Sequence, residues 1–262
     1  LVFGTGLLAR AIQSAHSAVH LVPHKECDIR NASDVAYQID HHKPDRVINA
    51  AAYTGVDLAE RQQALCFSIN AEGPEIIAKV CRHKAVPLVH ISTDYVFGGL
   101  GFAPFIESST PGPVNIYGWS KLHGEAFARG ENSDVSILRV AGLYSATTGE
   151  GIFQRSVELA RRGNIAVVPH TFCPTAVEDV ARAALISKPG LWHFAGTPAS
   201  RMEIARRIVS SLGIERTIML VHTLPGLAPR PENSILNSAA FALSHSMFVA
   251  RPFEEGITQV MR

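Results

Sequence analysis

The amino-acid sequence predicts an α/β protein: a doubly wound parallel sheet with a smaller C-terminal portion set over one edge of it. Three observations predict this. Continuous apolar runs of four to six residues alternate with amphipathic stretches through the first half of the chain. Such runs mark parallel strands covered on both faces by helices. The first run ends in a glycine turn, Gly4-Thr5-Gly6, that opens a helical pattern. The length of 262 residues suits one large domain, or one domain with a satellite.

The elements follow in order. Leu1–Phe3 is the end of an apolar run, Leu7–Ala15 a short helix, and Val19–Val22 a second run. Ala32–His41 is amphipathic and helical, and Arg46–Ala51 has a buried-strand pattern. Leu58–His83 reads as a long helical stretch interrupted near Gly73-Pro74, because proline removes a helical N–H. Pro87–Ser92 is another buried strand, Tyr117–Arg129 a helix, and Val135–Val140 a strand. Beyond Val140 the rhythm loosens. Helices are expected at Phe153–Arg162, Val177–Ser187 and Met202–Leu212, and strands at Ile165–Val168 and Leu191–Ala195. Thr223–Asn237 is rich in proline and polar residues and reads as a functional loop or lid.

Composition excludes several classes. Hydrophobic residues make up 47% and charged residues 18%, so there is ample apolar surface to bury and no global disorder. Lys and Arg number 24 against 23 Asp and Glu, a formal charge of +1. No net field draws in a nucleic-acid polymer or an anionic membrane. The apolar stretches break well short of the roughly 18 residues a membrane span needs. Cys27, Cys66, Cys81 and Cys173 form no C-x-x-C pair and are expected to be buried and reduced, as in a cytoplasmic protein. No signal peptide is read. The chain opens at Leu1 inside a strand pattern, so a few residues are expected to precede it, and the short span from Gly6 to Asp28 suggests others missing there. The twelve histidines show no ligand spacing, and no metal site is expected.

The glycine turn is G-x-G-x-x-A, running from Gly4 through Gly6 to Ala9. Gly4 allows the tight turn, and Gly6 lets backbone approach a pyrophosphate at the helix N-terminus. This is the Rossmann-type signature of a dinucleotide site. The second strand ends without an acid; Pro23, His24 and Lys25 stand there. An acid would bind the ribose 2′-hydroxyl of NAD, whereas a base favours the 2′-phosphate. Either NADP or NAD fits, and NADPH is favoured. Residues 1–145 are expected to form the NAD(P)-binding domain. Residues 146–262 are expected to form a substrate-binding portion interleaved with it.

Tyr117 and Lys121 form Y-x-x-x-K at the start of a helix, a spacing that puts phenol and ammonium on one face. A nearby ammonium lowers a phenol's pKa. Such a tyrosine exchanges a proton with a carbonyl oxygen while hydride moves at carbon. Ser92-Thr93-Asp94 places hydroxyls at a strand's carboxyl end, the edge where open α/β sheets bind ligands.

In their order, four segments resemble the extended short-chain dehydrogenase/reductases. They are the glycine turn, Asn49 to Asp57 (NAAAYTGVD), Ser92 to Phe97 (STDYVF), and Pro113 to Glu125 (P-x-N-x-Y-G-x-x-K-x-x-G-E). Within that class the chain is most similar to the dTDP-4-dehydrorhamnose reductase family. Pro174-Thr175 and Arg230 to Asn237 also match that branch. The resemblance implies NAD(P)H-dependent reduction of the 4-keto group of a nucleotide-linked 6-deoxy sugar. It implies Tyr117 as general acid, Lys121 tuning it and holding the nicotinamide ribose, and Thr93 polarising the keto oxygen. Asp94 would contact the sugar, with Gly142 and Arg230 also on the substrate side. Gly4, Gly6, Leu7 and Leu8 would line the pyrophosphate, Asp28 and Ile29 the adenine, and Ala51, Ala52 and Tyr53 the cofactor's length. The expected partners are the nucleotide sugar and a second copy in a homodimer.

Three segments depart from the family pattern. The glycine turn is one residue short. R-T-S-W-x-Y reads Arg139-Val140-Ala141-Gly142-Leu143-Tyr144, so Gly142 stands where the family has a tryptophan near the sugar. Q-x-G-x-P-T reads His170 to Thr175 (HTFCPT). Gly142 is expected to leave a volume for Phe172, Trp119 or a larger sugar to fill. Two other readings share the fold. One is a cofactor-binding regulatory subunit like that of methionine adenosyltransferase; the other is a nucleotide-sugar epimerase or dehydratase. Tyr95 rather than Glu after Asp94 argues against dehydration, and Thr93, Tyr117 and Lys121 together favour an enzyme.

Overall fold

A computed structural model describes residues 1–222 and 226–260. Its first half runs β1 (Val2–Phe3), α1 (Leu7–Ala15), β2 (Leu21–Val22), α2 (Ala32–His42), β3 (Val47–Asn49), α3 (Val56–Ala59), α4 (Gln63–Phe67), α5 (Gly73–His83), β4 (Leu88–Thr93), α6 (Ile116–Glu131) and β5 (Ser136–Val140). The second half runs β6 (Leu143–Tyr144), α7 (Ile152–Arg162), β7 (Ile165–Val167), β8 (Thr171–Phe172), β9 (Thr175–Ala176), α8 (Val177–Ile186), β10 (Gly190–His193), β11 (Ala199–Ser200), α9 (Arg201–Ser211), β12 (Ile218–Leu220), α10 (Ala239–Ser244) and α11 (Phe253–Val260). Nine-residue α1 and the short β2 occupy the span between Gly6 and Asp28.

Six strands form one parallel sheet in the order β10-β5-β4-β3-β1-β2. Successive residues along each strand feed opposite faces, as the pleat requires. Val2, Ile48, Val89 and Leu138 join one core with α1 and α8. Phe3, Val47, Leu88 and Ile137 join another with α2 and α5. The chain leaves β1 for β2 on one side and returns to β3 on the other, so the crevice beyond β1 and β3 is a topological switch point. Strand β10 and helix α8 come from beyond residue 145 and complete the sheet and its cover. Helices α7, α9 and α11 surround a separate core built on Tyr144, Phe153, Ile165, Ile208 and Phe253.

The expected long helix over 58–83 is three helices, with a π-helical turn at Ser68–Glu72 just before Pro74 opens α5. Of the expected loop Thr223–Asn237, residues 223–225 lie outside the described residues. The rest lacks regular structure and is tied down. Asp57 accepts from the Ala228 amide at 2.9 Å, and Phe105 O accepts from the Asn237 amide at 2.8 Å. Cys27, Cys66, Cys81 and Cys173 are free and buried. No helix among the described residues is long and apolar enough to cross a membrane.

One ion pair lies at the sheet's centre. Arg139 on β5 donates to both carboxylate oxygens of Glu125 on α6, at 2.9 and 2.6 Å. The two side chains are 3% and 5% exposed. Ser92 on β4 donates to the same carboxylate, and Arg139 also meets His193 on β10 at 3.3 Å. The cluster thus joins three neighbouring strands to the helix that carries Tyr117 and Lys121. Breaking a buried pair from one side strands the other charge. Arg139→Leu is therefore expected to cost about 3–5 kcal/mol of stability. The double variant Arg139→Leu/Glu125→Leu is expected to cost clearly less, both read by urea unfolding. Equal losses would show that the stranded charge is not the cause.

Candidate active site

Strand β4 delivers Thr93 to the carboxyl edge of the sheet, where a single 3₁₀ turn, Asp94–Val96, begins. The Thr93 hydroxyl caps that turn by accepting from the Tyr95 amide at 3.2 Å, and it donates to Asp94 Oδ1 at 3.1 Å. Helix α6 starts against the same turn. Asn115 caps it by accepting from the Gly118 amide at 2.8 Å, and Glu60 accepts from the Ile116 amide at 2.9 Å. A Cβ at Gly118 would overlap the Tyr95 carbonyl, so only glycine lets the first turn of α6 sit this close. Tyr117 thereby stands edge-on to Tyr95, ring centroids 5.7 Å apart. Lys121 follows one turn later, fully enclosed.

The electrostatics differ from what the spacing alone suggests. Burial pushes the Tyr117 phenol above its ordinary range, with the Thr93 hydroxyl opposing. The phenol therefore keeps its proton at neutral pH. The Lys121 ammonium is directed elsewhere: Nζ donates to the Ile91 carbonyl at 2.6 Å and sits 3.4 Å from His90 Nε2. Burial brings Lys121 down to about 8, against the pull of Glu125. The expected lowering of Tyr117 by Lys121 is not found: burial raises the phenol, and the ammonium is turned to the Ile91 carbonyl. Burial also raises Asp94 to about 6, with Ser234 and Thr93 holding it down.

On the cofactor side, Gly4 has φ +106°, and a Cβ there would press on the Ala51 amide 3.0 Å away. Gly6 is the N-cap of α1, with no side-chain cap and nothing within 4 Å of where its Cβ would be. The first-turn amides of α1 thus face open space that a side chain would fill, which suits a pyrophosphate. The Leu7 and Leu8 side chains pack into the core, leaving their backbone for the ligand. Tyr53 is clamped by Asn70, whose Oδ1 accepts from its amide at 2.8 Å and whose Nδ2 donates to its carbonyl at 3.0 Å. Asn70 also donates to Ser120 on α6 at 3.0 Å, joining the Ala51–Tyr53 loop to the catalytic helix. Ile29 is buried against Gly73, so only its backbone is free to meet an adenine. Asp28 is held by Arg30 at 2.6 Å, which lowers its carboxyl to about 2. His24 and Lys25 are exposed just past β2.

Beside Tyr95 opens a cavity of about 500 Å³ whose lining includes Arg155, Arg201, Arg230, Phe172, Asp57 and Glu232. Arg230 is anchored by Asp57 at 2.8 Å. Gly142 does not line this cavity. It has φ +43°, and a Cβ there would overlap the Phe172 ring. The volume expected at Gly142 is thus filled by Phe172, itself a departure from the family pattern. Trp119 lies on the exposed face of α6 against His123 and plays no part. The sequence had singled out Thr93, Asp94, Tyr117, Lys121 and Arg230. It had assigned no role to Asn70, His90, Glu125, Arg155 or Arg201, which depend on contacts between distant segments.

A doubly wound sheet with a glycine turn at its switch point and Thr, Tyr and Lys at its carboxyl edge defines the extended short-chain dehydrogenase/reductase class. Within it, the family described as RmlD substrate binding domain matches residues 2–262, and the chain belongs to that family. It is 34% identical over 249 residues to the dTDP-4-dehydrorhamnose reductase of Mycolicibacterium smegmatis, covering 90% of this chain and 75% of that protein. It is 32% identical over 230 residues to the enzyme of the same name from Sinorhizobium fredii, covering 80% and 77%. The dTDP-4-dehydrorhamnose reductase of Bacillus anthracis, solved in complex with NADP, superposes with a TM-score of 0.89 at 30% identity. It covers 99% of this chain and 96% of that one.

Two outcomes are expected. Lys121 carries its charge below about pH 8 and loses it above. Because kcat/KM reports the free enzyme's ionisations, it is expected to fall on the basic side of that value. Lys121→Arg should move this limb beyond the measurable range; an unmoved limb assigns it to another group. At the second position, Gly142→Trp forces a side chain onto Phe172 and is expected to lose about 1–3 kcal/mol in thermal unfolding. Gly142→Trp/Phe172→Gly should recover part of that loss, and no recovery would show that the two positions do not share one volume.

Proposed function

We propose that this chain reduces the 4-keto group of a dTDP-linked 6-deoxy sugar, using NADPH in preference to NADH. The observation that carries the proposal is that Thr93 and a protonated Tyr117 stand together at the carboxyl edge of the sheet, with Lys121 one turn further along α6. Residues 1–145 hold the cofactor and residues 146–262 furnish most of the sugar-nucleotide cavity, with β10 and α8 lent back to the sheet. The relatives' activity, and the NADP bound to the Bacillus anthracis structure, support both parts of the reading. The exposed His24 and Lys25, with no acid at the end of β2, support the phosphate-bearing cofactor.

NADPH, when bound, supplies the hydride for the carbonyl carbon. The rest belongs to the chain. The free amides at the start of α1 hold the pyrophosphate, and Gly6 makes room for it. Arg155, Arg201 and Arg230 line the cavity as charge partners for the sugar nucleotide's diphosphate. The Thr93 hydroxyl turns to the keto oxygen and polarises it. Tyr117 gives its proton to that oxygen as negative charge develops there. Tyr117 holds its proton at neutral pH, as a reducing general acid must at the start. Lys121 is the residue that would hold the nicotinamide ribose. The site works where the cell's soluble nucleotide sugars are, and a cytoplasmic homodimer is the form we infer.

Tyr117→Phe is expected to lower kcat by about 10²–10⁴-fold with NADPH binding unchanged, followed as NADPH oxidation at 340 nm with dTDP-4-dehydrorhamnose. A variant with near-native kcat removes Tyr117 from the mechanism.

A further inference from the structure

We propose that His170 and Ser234 are positioning residues for the reduction. With Arg201 they form a one-directional hydrogen-bond chain from the cavity to the Thr93–Asp94 pair. The proposal rests on reading the site as a carbonyl reductase.

The direction of the chain follows from which groups can donate. A guanidinium only donates, so Arg201 Nε gives its proton to His170 Nδ1, 3.3 Å away. Burial and the charges of Arg201 and Arg230 keep His170 neutral. A neutral imidazole that accepts at Nδ1 carries its one proton on Nε2. Nε2 lies 2.9 Å from Ser234 Oγ, so that oxygen accepts. The serine proton then goes to Asp94 Oδ2 at 2.6 Å, while Thr93 donates to Oδ1 at 3.1 Å. Every link has one donor and one acceptor. His170, Ser234, Asp94 and Thr93 are all buried, whereas Arg201 lines the cavity with its guanidinium over the Phe172 ring at 5.3 Å.

The chain solves a problem of proton number. Thr93 has one hydroxyl proton and two claimants, Asp94 in the free protein and the keto oxygen in the complex. When Thr93 turns to the substrate, Asp94 would be left a bare buried carboxylate, which is costly. Ser234, itself oriented by His170, keeps the second carboxylate oxygen satisfied through that exchange. Asp94 is also faced by Tyr117 from α6, by Tyr95 from its own turn, by Cys173, and by the charge of Arg201. Among all the groups that favour its ionised form, Ser234 contributes most.

The test compares Ser234→Ala, His170→Leu and His170→Gln with the wild type, using NADPH and dTDP-4-dehydrorhamnose. Glutamine offers an oxygen to Arg201 and an N–H to Ser234, so it should preserve the chain. Ser234→Ala and His170→Leu are expected to lower kcat by about 10-fold or more with the Kd for NADPH unchanged. The acid limb of kcat/KM, assigned to Asp94 near 6, should move upward by about one pH unit, because Ser234→Ala removes a donor that favours the carboxylate and His170→Leu leaves that donor without the group that orients it. His170→Gln should retain the native limb. Carbon-13 NMR of the Asp94 carboxyl reads the same shift without turnover. Folded variants with native kcat and an unmoved Asp94 titration overturn the proposal. A wild type that binds NADPH but reduces no 4-keto nucleotide sugar overturns the functional reading instead, and leaves the NMR result to decide the chain.

Discussion

The buried pair of Glu125 and Arg139 sets the position of everything the site uses. Glu125 sits one helical turn beyond Lys121 on α6, and Ser92 immediately precedes Thr93 on β4. By bonding both Ser92 and Arg139, the carboxylate holds α6 against β4 and β5 at one register. A slide of the helix by one turn, about 5.4 Å, would carry Tyr117 away from Thr93 altogether. Two further contacts oppose such a slide. A Cβ at Gly124 would overlap the Asn70 carbonyl, and Asn70 bonds Ser120, so α6 is also pressed onto the π-helical turn Ser68–Glu72, whose Asn70 clamps Tyr53 in the loop that follows β3. Cofactor loop, catalytic helix and hydroxyl-bearing strand are thus parts of one rigid arrangement.

Burial then decides the charge states. The same enclosure that positions Tyr117 keeps it protonated, lowers Lys121 and raises Asp94. In a reductase these shifts have one sense: the acid holds its proton until oxygen becomes basic enough to take it. His90 adds to this. Asn49 is oriented by the Ala51 amide on its Oδ1, so its Nδ2 faces His90 Nδ1, and the proton of His90 lies on Nε2 toward Lys121. That contact disfavours an ammonium in the free protein and leaves Lys121 ready to move to a better partner.

The sheet was legible because its strands are continuous apolar runs bounded by helices of ordinary length. Leu7–Ala15 was read to the residue, and the strand read at Leu191–Ala195 is β10 at Gly190–His193, whose place beside β5 needed coordinates. The strands of two or three residues, β6, β8, β9, β11 and β12, are too short to carry a period, and none of them gave a signal; among such short strands of that half β7 alone was read, as Ile165–Val168. Thr93, Tyr117 and Lys121 were legible because their spacing is local. Phe172 filling the place opposite Gly142 was named only as one candidate, since 30 positions of chain separate the two and only packing decides between candidates. Asp94 and the segments that carry His170 and Ser234 stood out in the sequence, but the hydrogen-bond chain that joins them did not, because its members meet only through β8 and the irregular segment beside it.

The central claim is that this arrangement reduces a carbonyl rather than merely holding a cofactor. Incubation of the protein with NADPH and dTDP-4-dehydrorhamnose, followed by mass analysis of the nucleotide sugar, tests it most directly. The account predicts one NADPH consumed per sugar and a product heavier by two hydrogens. Tight NADPH binding with no product from this or any other 4-keto nucleotide sugar would contradict it, and would mark the chain as a cofactor-binding subunit that serves another enzyme.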